Sequence, residues 1–183
     1  MNTRVNNHRT RDGKAPTRIS LFQNPLDYIT EDHWRLRAMC AEMIRLAEKK
    51  NTDAQARATL IGYLDHELPL LLEDEDEALM PMVLARAEAE DEIPKLVQRL
   101  QTEHAEITAY LEMVRGGLHA ADPTEGMSDA LRALLTSLSG AIRRHLILEN
   151  AVLLPLARAR LTRSDLNRLR KRMLDRRGLK DLL

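Results

Sequence analysis

The chain has 183 residues, 44% of them apolar and 31% charged, enough for one well-buried domain and short for two. Its formal net charge of +0 excludes the uniformly basic surface of a general nucleic-acid binder, and a single cysteine, Cys40, excludes an internal disulfide or a thiolate metal cluster. Aromatics make up 3%, no alternating β-branched run appears, and no apolar stretch nears the roughly 20 residues that span a bilayer, so the chain is expected to be all-α, without membrane insertion.

Residues 1–24 read as a flexible basic arm, with Arg4, Arg9, Arg11, Lys14 and Arg18 against Asp12, and ordering is expected to begin near Ile19 to Pro25. The start Met1-Asn-Thr-Arg lacks an apolar leader, which points to a cytoplasmic protein. Helical periodicity then organises residues 25–160. The first stripe runs Ile29, His33, Leu36, Cys40, Met43, Ala47. The second, from about Asp53 to Ala87, runs Leu60, Leu64, Leu68, Leu71, Glu75, Leu79, Met82, with a bend expected at Pro69. The third opens near Pro94 and runs Ile93, Val97, Leu100, His104, Ile107, Leu111, Val114, Leu118. After the turn-like Ala121 to Gly126, the fourth runs Leu131, Leu135, Leu138, Ile142, His145, Glu149, Val152, Leu156. Four long amphipathic helices with short connections predict an antiparallel up-down-up-down four-helix bundle. Residues 161–183 form a basic end, in which Ser164-Asp165 is expected to cap a short C-terminal helix.

The chain repeats itself about seventy residues apart. Glu75-Asp-Glu-Ala-Leu-Met-Pro81 recurs as Glu149-Asn-Ala-Val-Leu-Leu-Pro155, and Asp32-His33 as Glu103-His104. The same offset places His145 four residues before Glu149 but Leu71 four residues before Glu75. Three histidines and two glutamates thus sit on apolar stripes, where a carboxylate costs several kcal/mol unless it is paired or coordinates a cation. In an antiparallel bundle the early His33 and His104 come level with the late Glu75 and Glu149, which predicts one shared polar centre. His33, Glu75, His104, His145 and Glu149 are therefore read as metal ligands, a donor set that suits iron, manganese or zinc. Two residues near Leu71 are auxiliary candidates. His66 points about 140° away from Leu71 on a regular helix, whereas Glu67, one turn away, is better aligned.

Carried by these motifs over roughly residues 25–158, the chain resembles the hemerythrin-like family, also called the HHE cation-binding domain. The family pattern matches Asp32-His33, Glu103-His104, His145-x-x-x-Glu149 with Pro155, and Glu75 with Pro81; it departs at Leu71, where the family has a histidine. The resemblance implies a four-helix bundle around a carboxylate-bridged non-haem di-iron centre. It also implies reversible dioxygen binding, oxygen or nitric oxide sensing, iron handling, or repair of damaged iron-sulfur clusters.

The remaining features read more plainly. Cys40 and the methionines 39, 43, 80 and 82 are packing, Asp32 and Glu103 are assigned no chemistry, and His8 and His119 face solvent. Only Glu75 of the acidic run 73–77 is in phase with the stripe; the rest is a solvated face. The basic ends read as a solvated helix or as contact with a neighbour's acidic tip, which a homodimer could use, ahead of nucleic acid. The alternative to a metal protein is a degenerate, metal-poor scaffold acting as a regulatory or interaction module. A di-iron oxidative enzyme ranks last, because no flavin, haem or nicotinamide motif is visible.

Overall fold

The computed structural model describes residues 15–49, 53–88, 90–122 and 126–179, and every regular element among them is helical. A short 3-10 turn (Ile19–Gln23) leads into α1 (Pro25–Glu48), where the Asn24 side chain accepts the Leu26 N–H and Pro25 pre-sets the first turn. The interrupted helix α2 begins under an Asp53 cap as Ala54–Gly62 and continues through a π turn (Tyr63–Glu67) and an α segment (Leu68–Asp74). A second π turn (Glu75–Leu79) and Met80–Leu84 complete it. Helix α3 is Ile93–Ala120, with Pro94 in its first turn. Helix α4 is capped by Ser128 and comprises Asp129–Leu148, a π turn (Glu149–Leu153) and Leu154–Arg160. Helix α5 (Arg163–Arg176) ends at Gly178, whose φ of 68° is the left-handed conformation that glycine adopts without cost.

Each π turn precedes a proline. The N–H groups of Leu68, Met80 and Leu154 bond five residues back to the carbonyls of Tyr63, Glu75 and Glu149, immediately before Pro69, Pro81 and Pro155. A proline ring crowds the carbonyl four residues back and offers no N–H, so widening the turn relieves the clash. The irregularity expected at Pro69 takes this form. The carbonyl of Glu77, four residues before Pro81, accepts instead from Arg172 Nη1 at 2.7 Å.

The predicted stripes are buried along α1 to α3, apart from half-buried Ala47. In α4 the stripe holds as far as Glu149 and then slips by one. Leu153 and Ala157 are buried where Val152 and Leu156 were expected, because the π turn inserts one extra residue into the helical count. Helix α4 packs along both α1 and α3. At Gly117 of α3 a Cβ would meet Leu131 Cδ1 of α4 at 2.8 Å, so a larger residue there would make the Leu131 side chain shift. Arg57 donates to the carbonyls of Leu118, Ala121 and Asp122, which the end of α3 leaves without helical partners.

Helix α5 lies against α1, α2 and the 3-10 turn. Its cap is Thr162, with Asp165 returning the bond to the Thr162 N–H in a capping box, not the expected Ser164-Asp165 pair. The acidic run is also less solvated than expected. Asp74 is fully buried and accepts from Arg176 Nη1 at 2.9 Å and Arg177 Nη1 at 2.6 Å, while Arg176 also reaches Glu73 and Glu77. Phe22 stacks on Tyr28 with centroids 3.9 Å apart, and the Arg177 guanidinium covers both rings. Residues 15–23 are thus partly packed; the expected flexibility of residues 1–14, His8 included, lies outside the described residues. Among the described residues, no helix is long and apolar enough to cross a membrane.

Candidate metal centre

All five stripe residues come together from four helices: His33 on α1, Glu75 on α2, His104 on α3, and His145 and Glu149 on α4. Each is at most 2% exposed. His33 Nε2 lies 2.8 Å from Glu75 Oε1 and 3.4 Å from Glu149 Oε2. His145 Nε2 lies 3.1 Å from Glu149 Oε2, and His104 Nε2 is 3.6 Å from Glu75 Oε2 and 4.0 Å from Glu149 Oε1. The two nitrogens His104 Nε2 and His145 Nε2 are 2.8 Å apart. Glu75, His104, His145 and Glu149 each offer a donor atom within 4.8 Å of the others.

Two imidazoles are backed by carboxylates. His145 Nδ1 donates to Glu103 Oε2 at 3.0 Å, and Glu103 is itself held by Arg99 Nε at 2.9 Å. His104 Nδ1 is 2.9 Å from Asp76 Oδ1, a charge contact that lacks hydrogen-bond geometry. The Glu103 carboxylate favours a proton on His145 Nδ1 and leaves Nε2 as the nitrogen that faces the centre. Neither role followed from the stripes. Glu103 is one residue out of phase on α3 and acts across to α4, and Asp76 falls on the face of α2 that periodicity assigns to solvent. His66 is exposed, and Glu67 is held by Arg35 Nε and Nη2 at 2.6 Å each, so neither auxiliary candidate joins the cluster. His119 is exposed as expected, although it contacts Asp65 at 2.9 Å. Cys40 is fully buried, and burial pushes its thiol up to about 11, in keeping with a packing role.

The electrostatics favour positive charge at the centre. Burial, and then the neighbouring Glu149, push the Glu75 carboxyl well above its ordinary range. Burial works against the charge on Glu149 too, but the hydrogen bond from His145 and the proximity of His33 carry it below the usual range. The His145 imidazole rises to about 9: burial opposes its charge, and Glu149, Glu75 and Glu103 together outweigh that.

These residues fit a metal ion. Two nitrogens bound at right angles to one ion at about 2.1 Å lie about 3 Å apart, close to the His104–His145 separation. Without a cation, two lone pairs would face each other unless one nitrogen held a proton. Glu149 Oε1 is buried with no hydrogen-bond partner, a cost that coordination would remove. Neutral imidazoles with carboxylates form the mixed nitrogen and oxygen set that first-row divalent metals take.

The family profile described as Hemerythrin HHE cation binding domain matches residues 24–157, the span that contains all five residues. No curated protein and no solved structure matches the chain.

Proposed function

We propose a function from the premise that the chain belongs to the hemerythrin family of HHE cation-binding domains: it is a non-haem iron protein that binds or senses a diatomic ligand, dioxygen or nitric oxide. The observation that carries this reading is the buried quartet Glu75, His104, His145 and Glu149, whose donors lie within 4.8 Å of one another. Two imidazoles and two carboxylates leave an octahedral ion short of ligands, and histidine-carboxylate sets with open positions suit ferrous iron better than the closed tetrahedral sites of structural zinc. Manganese or zinc in the same donors is the competing occupant.

When bound, iron supplies an open coordination position and two accessible oxidation states, which diatomic-ligand chemistry requires. The chain's own residues do the rest. His104 and His145 present Nε2, and Glu103 fixes the His145 tautomer through Nδ1. Glu75 and Glu149 balance the cation's charge, and burial of these two glutamates with His104 and His145 keeps bulk water away. This reading takes α1 to α4 as an antiparallel up-down-up-down bundle, which sets the early histidines of α1 and α3 level with the late glutamates of α2 and α4.

The alternative reading, a metal-poor interaction scaffold acting through its basic end, gains little support. Arg172 and Arg176 of α5, and Arg177 just after it, are engaged on the acidic run of the same chain. The test is to load the protein with ferrous iron under anaerobic conditions and titrate nitric oxide, then dioxygen. A saturable optical change in the wild type that is absent in Glu149→Ala is expected. An iron-loaded wild type that responds to neither gas would contradict the reading.

A further inference from the structure

The two halves of the centre are built to the same plan and are not equally complete. The Glu75 N–H bonds to the carbonyls of Leu71 and Leu72, and the Glu149 N–H to those of His145 and Leu146; both glutamates then open π turns closed before a proline. Leu71 therefore occupies, on α2, the stereochemical place that His145 occupies on α4. It is buried and brings methyl groups where its counterpart brings a donor.

The supporting groups are lost on the same side. Asp76 stands against His104 Nδ1, but its counterpart is Asn150, whose Nδ2 donates to its own helix at Leu146 O, 2.6 Å away. His33 Nδ1, the counterpart in the repeat of the nitrogen that Asp76 stands against, is buried without a partner. Glu103 holds His145 Nδ1, whereas Asp32, its counterpart in the repeat, has a leucine at position 71 in place of an imidazole. Neither His66 nor Glu67 makes up the deficit, the first being exposed and the second engaged by Arg35.

We infer that this chain binds one metal ion, held by His104, His145, Glu75 and Glu149, and that His33 acts on the other side as a hydrogen-bond donor that positions both glutamates. His33 Nε2 is already within reach of both carboxylates, at 2.8 and 3.4 Å. A second ion there would have one imidazole, the Leu71 side chain in place of another, and two carboxylates whose charges already balance one divalent cation. This inference rests on the metal-binding reading above and narrows it.

The test counts iron and spins on the full-length protein, purified without chelator, reconstituted anaerobically with ferrous iron alone, desalted and oxidised. About one iron per chain is expected, all of it visible as a high-spin ferric electron paramagnetic resonance signal, because an isolated ferric ion has half-integer spin. About two irons per chain with a silent spectrum, the behaviour of an antiferromagnetically coupled pair, would overturn the inference and leave the metal-binding reading standing. No iron at all would overturn both. Leu71→His is the gain-of-site variant: iron should rise to about two per chain and the signal should fall away. A folded Leu71→His protein that stays at about one iron would overturn the assignment of the missing donor to position 71. If that variant does not fold, the wild-type iron and spin counts decide alone.

Discussion

His145 is gripped from both ends, by Glu149 on Nε2 and by Glu103 on Nδ1. Removing the carboxylate behind a ligating imidazole costs about 10- to 100-fold in metal affinity, so Glu103→Ala should weaken iron binding by that amount in a chelator competition, with the fold intact by circular dichroism. An unchanged affinity would mean that Glu103 is only a surface partner of Arg99. This role was hidden in the sequence because neighbours on a helix point about 100° apart, so Glu103 is off the stripe that carries His104. Asp165 sets a second prediction. Its bonds with the Thr162 hydroxyl and N–H, and then with Arg168 and Arg86, hold the carboxyl below the usual range. A carboxylate depressed in the folded state gives stability that is present above its unfolded value near 3.9 and is lost as pH falls further. Asp165→Asn should thus melt earlier at pH 7 by about 1 kcal/mol and show a flatter loss below about pH 4 than the wild type. Parallel acid-melting curves would sink that account.

At the scale of the element, the prolines shape the helices that carry the glutamates. Pro155→Ala would remove the ring that crowds the turn and restore an N–H, allowing α4 to recover a regular α register. Iron affinity should then fall and the Leu153 and Ala157 face should rotate, measurable as altered hydrogen exchange along α4; unchanged affinity and exchange would mean that the π turn persists without its proline. The proline six residues after each glutamate was plain in the sequence, but its consequence was not. Periodicity at three- and four-residue steps has no place for an inserted residue, which is why Val152 and Leu156 were expected inside and Leu153 and Ala157 are found there. Helix α5 raises the same point about charge. Asp74 looked like one acid in a solvated run because its partners, Arg176 and Arg177, are about a hundred residues away. Arg176→Ala with Arg177→Ala leaves Asp74 buried and unpaired, a loss of about 3–5 kcal/mol by denaturant unfolding, and adding Asp74→Leu should recover most of it. Strict additivity of the three changes would contradict the coupling.

In the whole molecule, the segregated charge resolves within one chain, as the basic C-terminal helix closes over the acidic run of α2. The all-helical fold and the convergence of His33, Glu75, His104, His145 and Glu149 were legible because each side chain sits in phase with an apolar stripe, where its burial needs a reason. The groups behind the imidazoles were not, since they act between helices and out of phase. The buried quartet is expected to bind a transition metal. Elemental analysis of protein purified without chelator, beside Glu149→Ala prepared in the same way, tests it most directly. Near-stoichiometric iron in the wild type and little in the variant is the predicted result. The absence of any transition metal from the wild type, even after reconstitution with ferrous iron, would contradict it.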